Sequence, residues 1–431
     1  MNLANEKVVF AEYVRIYDRE KATLIASTEN NKCIMVSREI SDIFKEAEKE
    51  NLTFAELFDC IEDEASKELI IHLSEKIHSL GMWKYFEDEL EKIPRSQVSI
   101  DITNNCNLRC KHCCISAGDN KRGCELTTDE LLKLVDRVLL LNPATISVSG
   151  GEPLVRKDFR EFTDRLRKNY SGTLILMTNA VLINNDEIAK YLTDNYDGFD
   201  ISLDGYDEES CSLIRGEGVF EKVLNAVKLL KKYDAKISLS MVKTKKTADN
   251  IVKFSELCEN LGVKSLVRCF EPMGRGEENK ELFEIKDDHS CPCGSDWTRE
   301  KDLFEQKKLY AIAPNIFSCH GAKTEFQIDQ KGDVFPCPMF MSEEYKIFNI
   351  LDIENPEDYI KNKKFRESEG YKNFMKYMPY NCDNCKGCDK QLLCFSCAAT
   401  VKKCIEENDF EYYCNECGKY YDMYWENYGN V

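Results

Sequence analysis

The stretch DITNNCNLRCKHCCISAG, residues 101–118, places four cysteines within nine positions directly after an alternating apolar run. A chain that keeps thiols this dense must supply disulfides, a metal or thiol chemistry to account for them. The start of the sequence, MNLANEKVVFAEYV, has no basic end followed by an apolar run of signal-peptide length, and no stretch is long and apolar enough to cross a bilayer. The expected compartment is therefore the cytoplasm, where reducing conditions disfavour structural disulfides. Twenty-two cysteines in that setting point to metal binding or catalysis. The formal charge of −18 argues against nucleic acid or an anionic membrane as the main partner and suits an enzyme or a binder of neutral or basic peptides.

With 431 residues the chain has room for two or three domains. Over residues 1–95 the alternating runs ATLIAST and CIMVS flank ENNK, whose Asn30 and Asn31 are turn formers, and this predicts a hairpin. Helical spacing follows, with Ile40, Ile43 and Phe44 on one face. Next come a capping box at Thr53 and Glu56 and an amphipathic run through Leu69, Leu73 and Ile77 that stops at Gly81. Strands with three short helices read as a winged-helix-like α+β domain. From residue 96 to about 290 the runs QVSIDIT, TISVS, TLILM, GFDISL, AKISLSMV and VKSLVRCF alternate with helix-like segments. One of these opens on a capping box at Thr127 and Glu130, and another places Phe220, Val223, Leu224, Val227 and Leu230 on one face. Strands alternating with helices imply an α/β fold with a parallel sheet whose ligands sit at the carboxyl ends of the strands. The cysteine stretch lies at such an end. Beyond a bridging region at 291–318, residues 319–431 are poor in apolar periodicity and rich in cysteine, as expected of a domain stapled by metal.

Cys106, Cys110 and Cys113 follow C-x3-C-x2-C spacing. A structural zinc site wants four ligands, whereas a four-iron cluster can use three cysteines and leave one iron open for substrate; a zinc knuckle is the plainer alternative. The loop resembles that of the radical S-adenosylmethionine (SAM) superfamily. The resemblance implies a partial (β/α)6 barrel, a [4Fe-4S] cluster on the three catalytic cysteines, SAM at the open iron, and His112 beside the adenine. It extends to SVSGGEP after the second strand, where Gly150, Gly151, Glu152 and Pro153 match the SAM-binding turn and Glu152 would accept from the methionyl amine. It implies SAM contacts also for Asn179, in an Asn-Ala pair where the family more often has Asn-Gly, for Ser202 and Asp204 near the ribose, and for Arg215 with the SAM carboxylate. For Ser202 and Asp204 an ordinary strand-end turn, and for Arg215 a surface ion pair, are the alternatives. Residues 271–276, EPMGRG, look like the family's last strand exit.

The C-terminal cysteines resemble the SPASM extension, which implies two auxiliary four-iron clusters. By that likeness Cys385, Cys388 and Cys394 with Cys414 or Cys417 hold the outer cluster, and Cys319, Cys337 and Cys397 the inner one. Cys382, Cys291 and Cys293 are candidates for its fourth ligand, an open iron being the other possibility. Cys33, Cys60, Cys211, Cys258 and Cys269 sit on apolar faces and read as core; Cys114, Cys124 and Cys404 are undecided.

The N-terminal domain is acidic and lacks a basic face for phosphate. Its element order resembles the peptide-recognition domain of ribosomal peptide maturases, which adds a leader peptide as a strand to a sheet edge. The whole then implies an oxidoreductase that takes an electron from ferredoxin or flavodoxin, cleaves SAM to a 5′-deoxyadenosyl radical, and modifies a ribosomally made precursor peptide. A thioether or other intrapeptide cross-link is the expected product. The alternatives are a sulfatase-maturase-like enzyme forming formylglycine and a non-enzymatic, zinc-stabilised winged-helix regulator.

Overall fold

The computed structural model describes residues 3–29, 32–84, 97–118, 125–283, 319–386, 388, 397–408, 410–411 and 414. The chain divides into two compact units: Met1–Ile93 with Lys301–Cys319 and Tyr377–Val431, and Pro94–Glu300 with His320–Lys376. The region expected as one cysteine-rich domain, 319–431, thus contributes to both.

In the first unit, β1 (Val14–Asp18), β2 (Ala22–Ser27) and β3 (Cys33–Ser37) form an antiparallel sheet in the order β1-β2-β3. The β2–β3 pairing is the expected hairpin; its Asn30 and Asn31 lie outside the described residues. Strand β1 was not anticipated, because after Val14, Arg15 and Ile16 the alternation of VRIYD lapses at Tyr17 and Asp18. Three helices follow. The first, α1 (Arg38–Lys49), is capped by Ser37, α2 (Phe54–Asp59) opens on the Thr53–Glu56 capping box, and α3 (Glu64–Ser79) is capped by Asp63. Each cap satisfies a backbone N–H that the first turn leaves orphaned. The inward faces are rotated from expectation: Ile43 and Leu69 are exposed, while Phe44, Ala47, Ile70 and Ile77 are buried. The core closes on Trp83, fully buried, against Phe10, Phe44 and Phe54 at ring-centroid distances of 4.6, 5.5 and 5.1 Å. Its indole N–H donates to Ser74 O at 3.0 Å, so the largest apolar side chain is buried with its one polar atom satisfied.

In the second unit, β4 (Gln97–Asp101), β5 (Thr145–Ser149), β6 (Thr173–Thr178), β7 (Gly198–Ser202), β8 (Ile237–Lys243) and β9 (Lys264–Cys269) pair in parallel and in sequence order. All six match the alternating runs in the sequence. Between them run α4 (Thr128–Leu139), α5 (Phe159–Asn169), α6 (Asp186–Asn195), α7 (Glu208–Arg215), α8 (Val219–Lys231) and α9 (Ile251–Leu261). In α8 the buried set is Val219, Val223, Ala226, Val227, Leu229 and Leu230, with Phe220 and Leu224 only half-buried.

The sheet alternates by face. Val98, Ile100, Ile146, Val148, Leu174, Leu176, Phe199, Ile201 and Leu239 are buried to the last few per cent of their surface. The opposite face is polar: the Gln97 amide donates to Ser99 and Ser147 hydroxyls, and Arg268 of β9 pairs with Asp200 of β7. Beyond the six strands the sheet continues with β10 (Glu325–Ile328), parallel to β4, and with β11 (Asp333–Phe335) and β12 (Phe348–Asn349), both antiparallel. These short strands escape periodicity reading because two to four residues are too few to show alternation. No helix among the described residues is long and apolar enough to cross a membrane.

Candidate functional site

The site gathers at the carboxyl ends of the parallel strands. The loop leaving β4 is tied at its base by Glu125, which accepts from Thr103 Oγ1 at 2.6 Å, Asn104 N at 2.8 Å and Asn105 Nδ2 at 3.1 Å. Arg156 adds donations to Ile102 O at 2.8 Å and Leu126 O at 2.9 Å. The loop then folds onto the turn leaving β5. Gly151 N donates to Thr103 O and Glu152 N to Asn105 O, both at 2.8 Å. A Cβ at Gly150, where φ is +140°, or at Gly151 would collide with the Thr103 or Asn105 carbonyl; only glycine lets the two strand-end loops lie together here. Pro153 opens a single helical turn, Pro153–Val155, behind Glu152.

The thiols of Cys106, Cys110 and Cys113 each receive an N–H. Cys106 Sγ accepts from Leu108 N at 3.4 Å and Asn179 Nδ2 at 3.7 Å, Cys110 Sγ from Arg215 Nη1 at 3.7 Å, and Cys113 Sγ from Ala117 N at 3.3 Å. Burial pushes the Cys106 thiol up to about 11 and raises Cys110, and the neighbouring thiols add to both shifts. Among the described residues no three His, Cys, Asp or Glu side chains are gathered as a finished metal site. The donor set nevertheless fits an iron–sulfur cluster: three thiols on one short loop, N–H groups aimed at their sulfurs, and a glycine cradle beside them. Binding a cluster there must release the thiol protons.

Two buried carboxylates frame the loop. Glu152, fully buried, accepts from Thr178 Oγ1 and Asn179 N, both at 2.7 Å, and from Leu154 N at 3.2 Å. Burial outweighs those donors and pushes its pKa up to about 7. Asp204, also fully buried, accepts from His112 Nε2 at 2.6 Å, Arg215 Nη2 at 2.6 Å and Val242 N at 2.6 Å. Burial would raise it, but Arg215 and His112 prevail and hold it well below the carboxylate range. Arg215 is accordingly a buried residue shared between Asp204 and Cys110 Sγ, and not a surface ion pair. His112 Nδ1 and Arg215 Nε are buried without hydrogen-bond partners, two N-atoms left over for a ligand. Asn179 reaches Asn107 Oδ1 at 2.8 Å, and Ala180, beside it, takes φ +58° without being glycine. Ser202 ends β7, half-buried on the polar face.

Sequence reading missed Glu125, Arg156, Thr178 and Arg275. Their signal is geometric only, since each acts by bonding to main chain or to a side chain far away in sequence. Cys60 is exposed, so it is not the core residue expected; Cys33, Cys211 and Cys258 are buried and Cys269 is half-buried. Of the undecided thiols, Cys404 is buried and Cys114 exposed. In the C-terminal constellation Cys382 is buried, Cys319, Cys337, Cys385, Cys388 and Cys397 are half-buried, and Cys414 is exposed. Cys124, Cys291, Cys293, Cys394 and Cys417 lie outside the described residues.

Residues 100–258 match the radical SAM superfamily. The chain is 28% identical over 267 residues to the mycofactocin maturase MftC of Mycolicibacterium smegmatis, covering 58% of this chain and 66% of that one; it spans just under two thirds of that relative's length. It is 26% identical over 367 residues to a cysteine-type anaerobic sulfatase-maturating enzyme of Clostridium perfringens, covering 76% of this chain and 96% of the relative. Its fold is similar to that of SuiB from Streptococcus suis. With S-adenosylmethionine bound, SuiB gives a TM-score of 0.54 at 14% identity, covering 92% of this chain and 96% of that one. With its precursor peptide SuiA bound, it gives a TM-score of 0.52. The three-thiol loop of β4 and the glycine turn of β5 fall inside the matched region, and residues 100–258 are a radical SAM domain.

Proposed function

We propose that this enzyme modifies a ribosomally made precursor peptide, using a [4Fe-4S] cluster on Cys106, Cys110 and Cys113 and SAM beside it. The observation that carries the reading is the packing of the three-thiol loop on the Gly150–Gly151–Glu152 turn. When bound, the cluster supplies one electron, drawn from a ferredoxin or flavodoxin, for reductive cleavage of SAM. The chain's own residues bind and orient. Gly150, Gly151 and Pro153 shape the bed of the methionyl group, and the Glu152 carboxylate takes its amine. The partnerless N-atoms of His112 and Arg215 offer the adenine and carboxylate sides further contacts. Asn179, Ser202 and Asp204 close the ribose side, Asp204 acting chiefly by fixing His112 and Arg215. The polar face of the sheet, with Ser99, Ser147 and the Asp200–Arg268 pair, presents a lining suited to a peptide segment. Water must be kept from this region once a radical is made.

The finer reading is a thioether or other intrapeptide cross-link. The winged-helix-like domain would capture the leader by strand addition, in the cytoplasm. Two auxiliary clusters would be held by Cys319, Cys337 and Cys397, with Cys382, Cys291 or Cys293 or an open iron in the fourth place, and by Cys385, Cys388, Cys394 and Cys414 or Cys417. MftC and SuiB, a maturase and a precursor-peptide binder by name, support the substrate class. The sulfatase-maturating relative, matched over nearly its whole length, supports the second reading, formylglycine formation. Incubating the reconstituted enzyme with SAM, reductant and the short peptide encoded beside its gene decides between them. A cross-link removes two hydrogens and keeps sulfur, formylglycine from cysteine removes the sulfur, and an unmodified peptide overturns both.

A further inference from the structure

The cluster loop is held from the opposite edge of the six parallel strands as well as from its own base. After β9 the chain turns at Gly274 and enters the short helix Arg275–Glu278. The Arg275 guanidinium donates through Nε to Cys110 O at 3.1 Å and through Nη1 to Ala117 O at 2.9 Å. These carbonyls lie on either side of Cys113, so one rigid fork spans the half of the loop that contains two of the three thiols. The approach is close. Gly274 has φ +53°, and a Cβ there would stand 2.6 Å from Cys114 O and 2.8 Å from Cys113 O, nearer than atoms can pack. Gly276 N donates to Cys113 O at 3.4 Å, and Asn279 Nδ2 donates to Lys111 O at 3.2 Å. Four main-chain carbonyls of the loop, those of residues 110, 111, 113 and 117, are thus engaged by one segment more than 150 residues later in sequence.

We infer that Arg275 is a positioning residue for the cluster: it fixes the spacing between Cys110 and Cys113 by clamping the backbone around them. Resting on the proposed cluster at Cys106, Cys110 and Cys113, the inference explains how a loop with little regular structure of its own is kept in one shape. A charge-assisted fork onto the Cys110 and Ala117 carbonyls holds the two ends of that half-loop at a fixed separation. Lysine can reach one carbonyl but cannot span both, so the conservative variant should rescue in part.

The test uses the full-length chain, reconstituted anaerobically with iron and sulfide. Wild type, Arg275→Met, Arg275→Lys and Gly274→Ala are compared with a Cys106→Ala, Cys110→Ala, Cys113→Ala triple variant. The triple variant defines the signal of the loop cluster as distinct from iron bound elsewhere. The readouts are the rate of iron loss to a chelator and the change in the reduced cluster's paramagnetic resonance signal on adding SAM. Arg275→Met is expected to lose the loop cluster's iron about tenfold faster than wild type and to give a broadened or missing SAM-dependent shift. Arg275→Lys should fall between, and Gly274→Ala should resemble Arg275→Met because it drives the same segment off the loop. Apo-protein circular dichroism, matched among all variants, separates this from misfolding. Iron retention and a SAM-dependent signal equal to wild type in Arg275→Met would overturn the inference, whatever Gly274→Ala does. A wild type with no more iron than the triple variant would instead overturn the underlying cluster assignment.

Discussion

Glu152 and Asp204 are both fully buried carboxylates at strand ends, and their neighbours drive them in opposite directions. Glu152 has only neutral donors at hydrogen-bond distance, so desolvation decides and its pKa rises to about 7. A raised acid stabilises the fold fully below its unfolded pKa, and that contribution is lost as pH climbs through about 7. Wild type should therefore lose about 3 kcal/mol relative to Glu152→Gln between about pH 4 and pH 8, read from anaerobic urea unfolding of the apo-protein; parallel pH profiles would refute it. The amine of SAM needs the ionised form, so SAM affinity by calorimetry should rise over the same window in wild type and stay flat in the variant. Asp204 is the reverse case, held ionised by Arg215 and His112. Asp204→Asn strands a buried guanidinium, and should cost about 3–5 kcal/mol in the same unfolding experiment. The cysteine spacing was legible in the sequence itself, and the glycine turn and both carboxylates were singled out by the family resemblance. Their partnerships were not: that Arg215 serves Cys110 Sγ and Asp204 together depends on β7, α7 and the cluster loop meeting in space.

At the scale of elements, regular alternation gave all six parallel strands their places, because a half-buried strand writes its two faces into every second residue. Capping boxes located the starts of α2 and α4 to within a residue. What failed was shorter or shared. Strand β1 loses its alternation at Tyr17 and Asp18, and β10 to β12 are too brief. Ile43 and Leu69 could not be told from inward residues without knowing which face the sheet covers. The N-terminal unit's dependence on one ring is testable. Trp83→Ala removes the contact common to Phe10, Phe44 and Phe54 and should cost about 3–5 kcal/mol. If residues 1–95 recognise the peptide, that variant should keep SAM cleavage in the absence of peptide and lose peptide binding, as followed by fluorescence anisotropy of a labelled leader. Unchanged binding would remove the recognition role.

For the whole molecule, composition narrowed what the chain was expected to do. A charge of −18 argued against nucleic acid as the main partner, and the loop that leaves β4 gathers three of the first four thiols met along the parallel sheet. The division of the cysteine-rich C-terminal region between two compact units was not legible, since the pairing of β10 with β4 joins residues far apart in sequence and leaves no local trace. The central claim is that the loop at Cys106, Cys110 and Cys113 drives radical modification of a peptide. Its most direct test is to incubate the anaerobically reconstituted chain with SAM, a strong reductant and the neighbouring precursor peptide, measuring 5′-deoxyadenosine and peptide mass together. The account predicts 5′-deoxyadenosine formation that depends on all three cysteines and a peptide lighter by two hydrogens. A fully iron-loaded protein that leaves SAM intact, or that cleaves it equally well without those cysteines, would contradict the account.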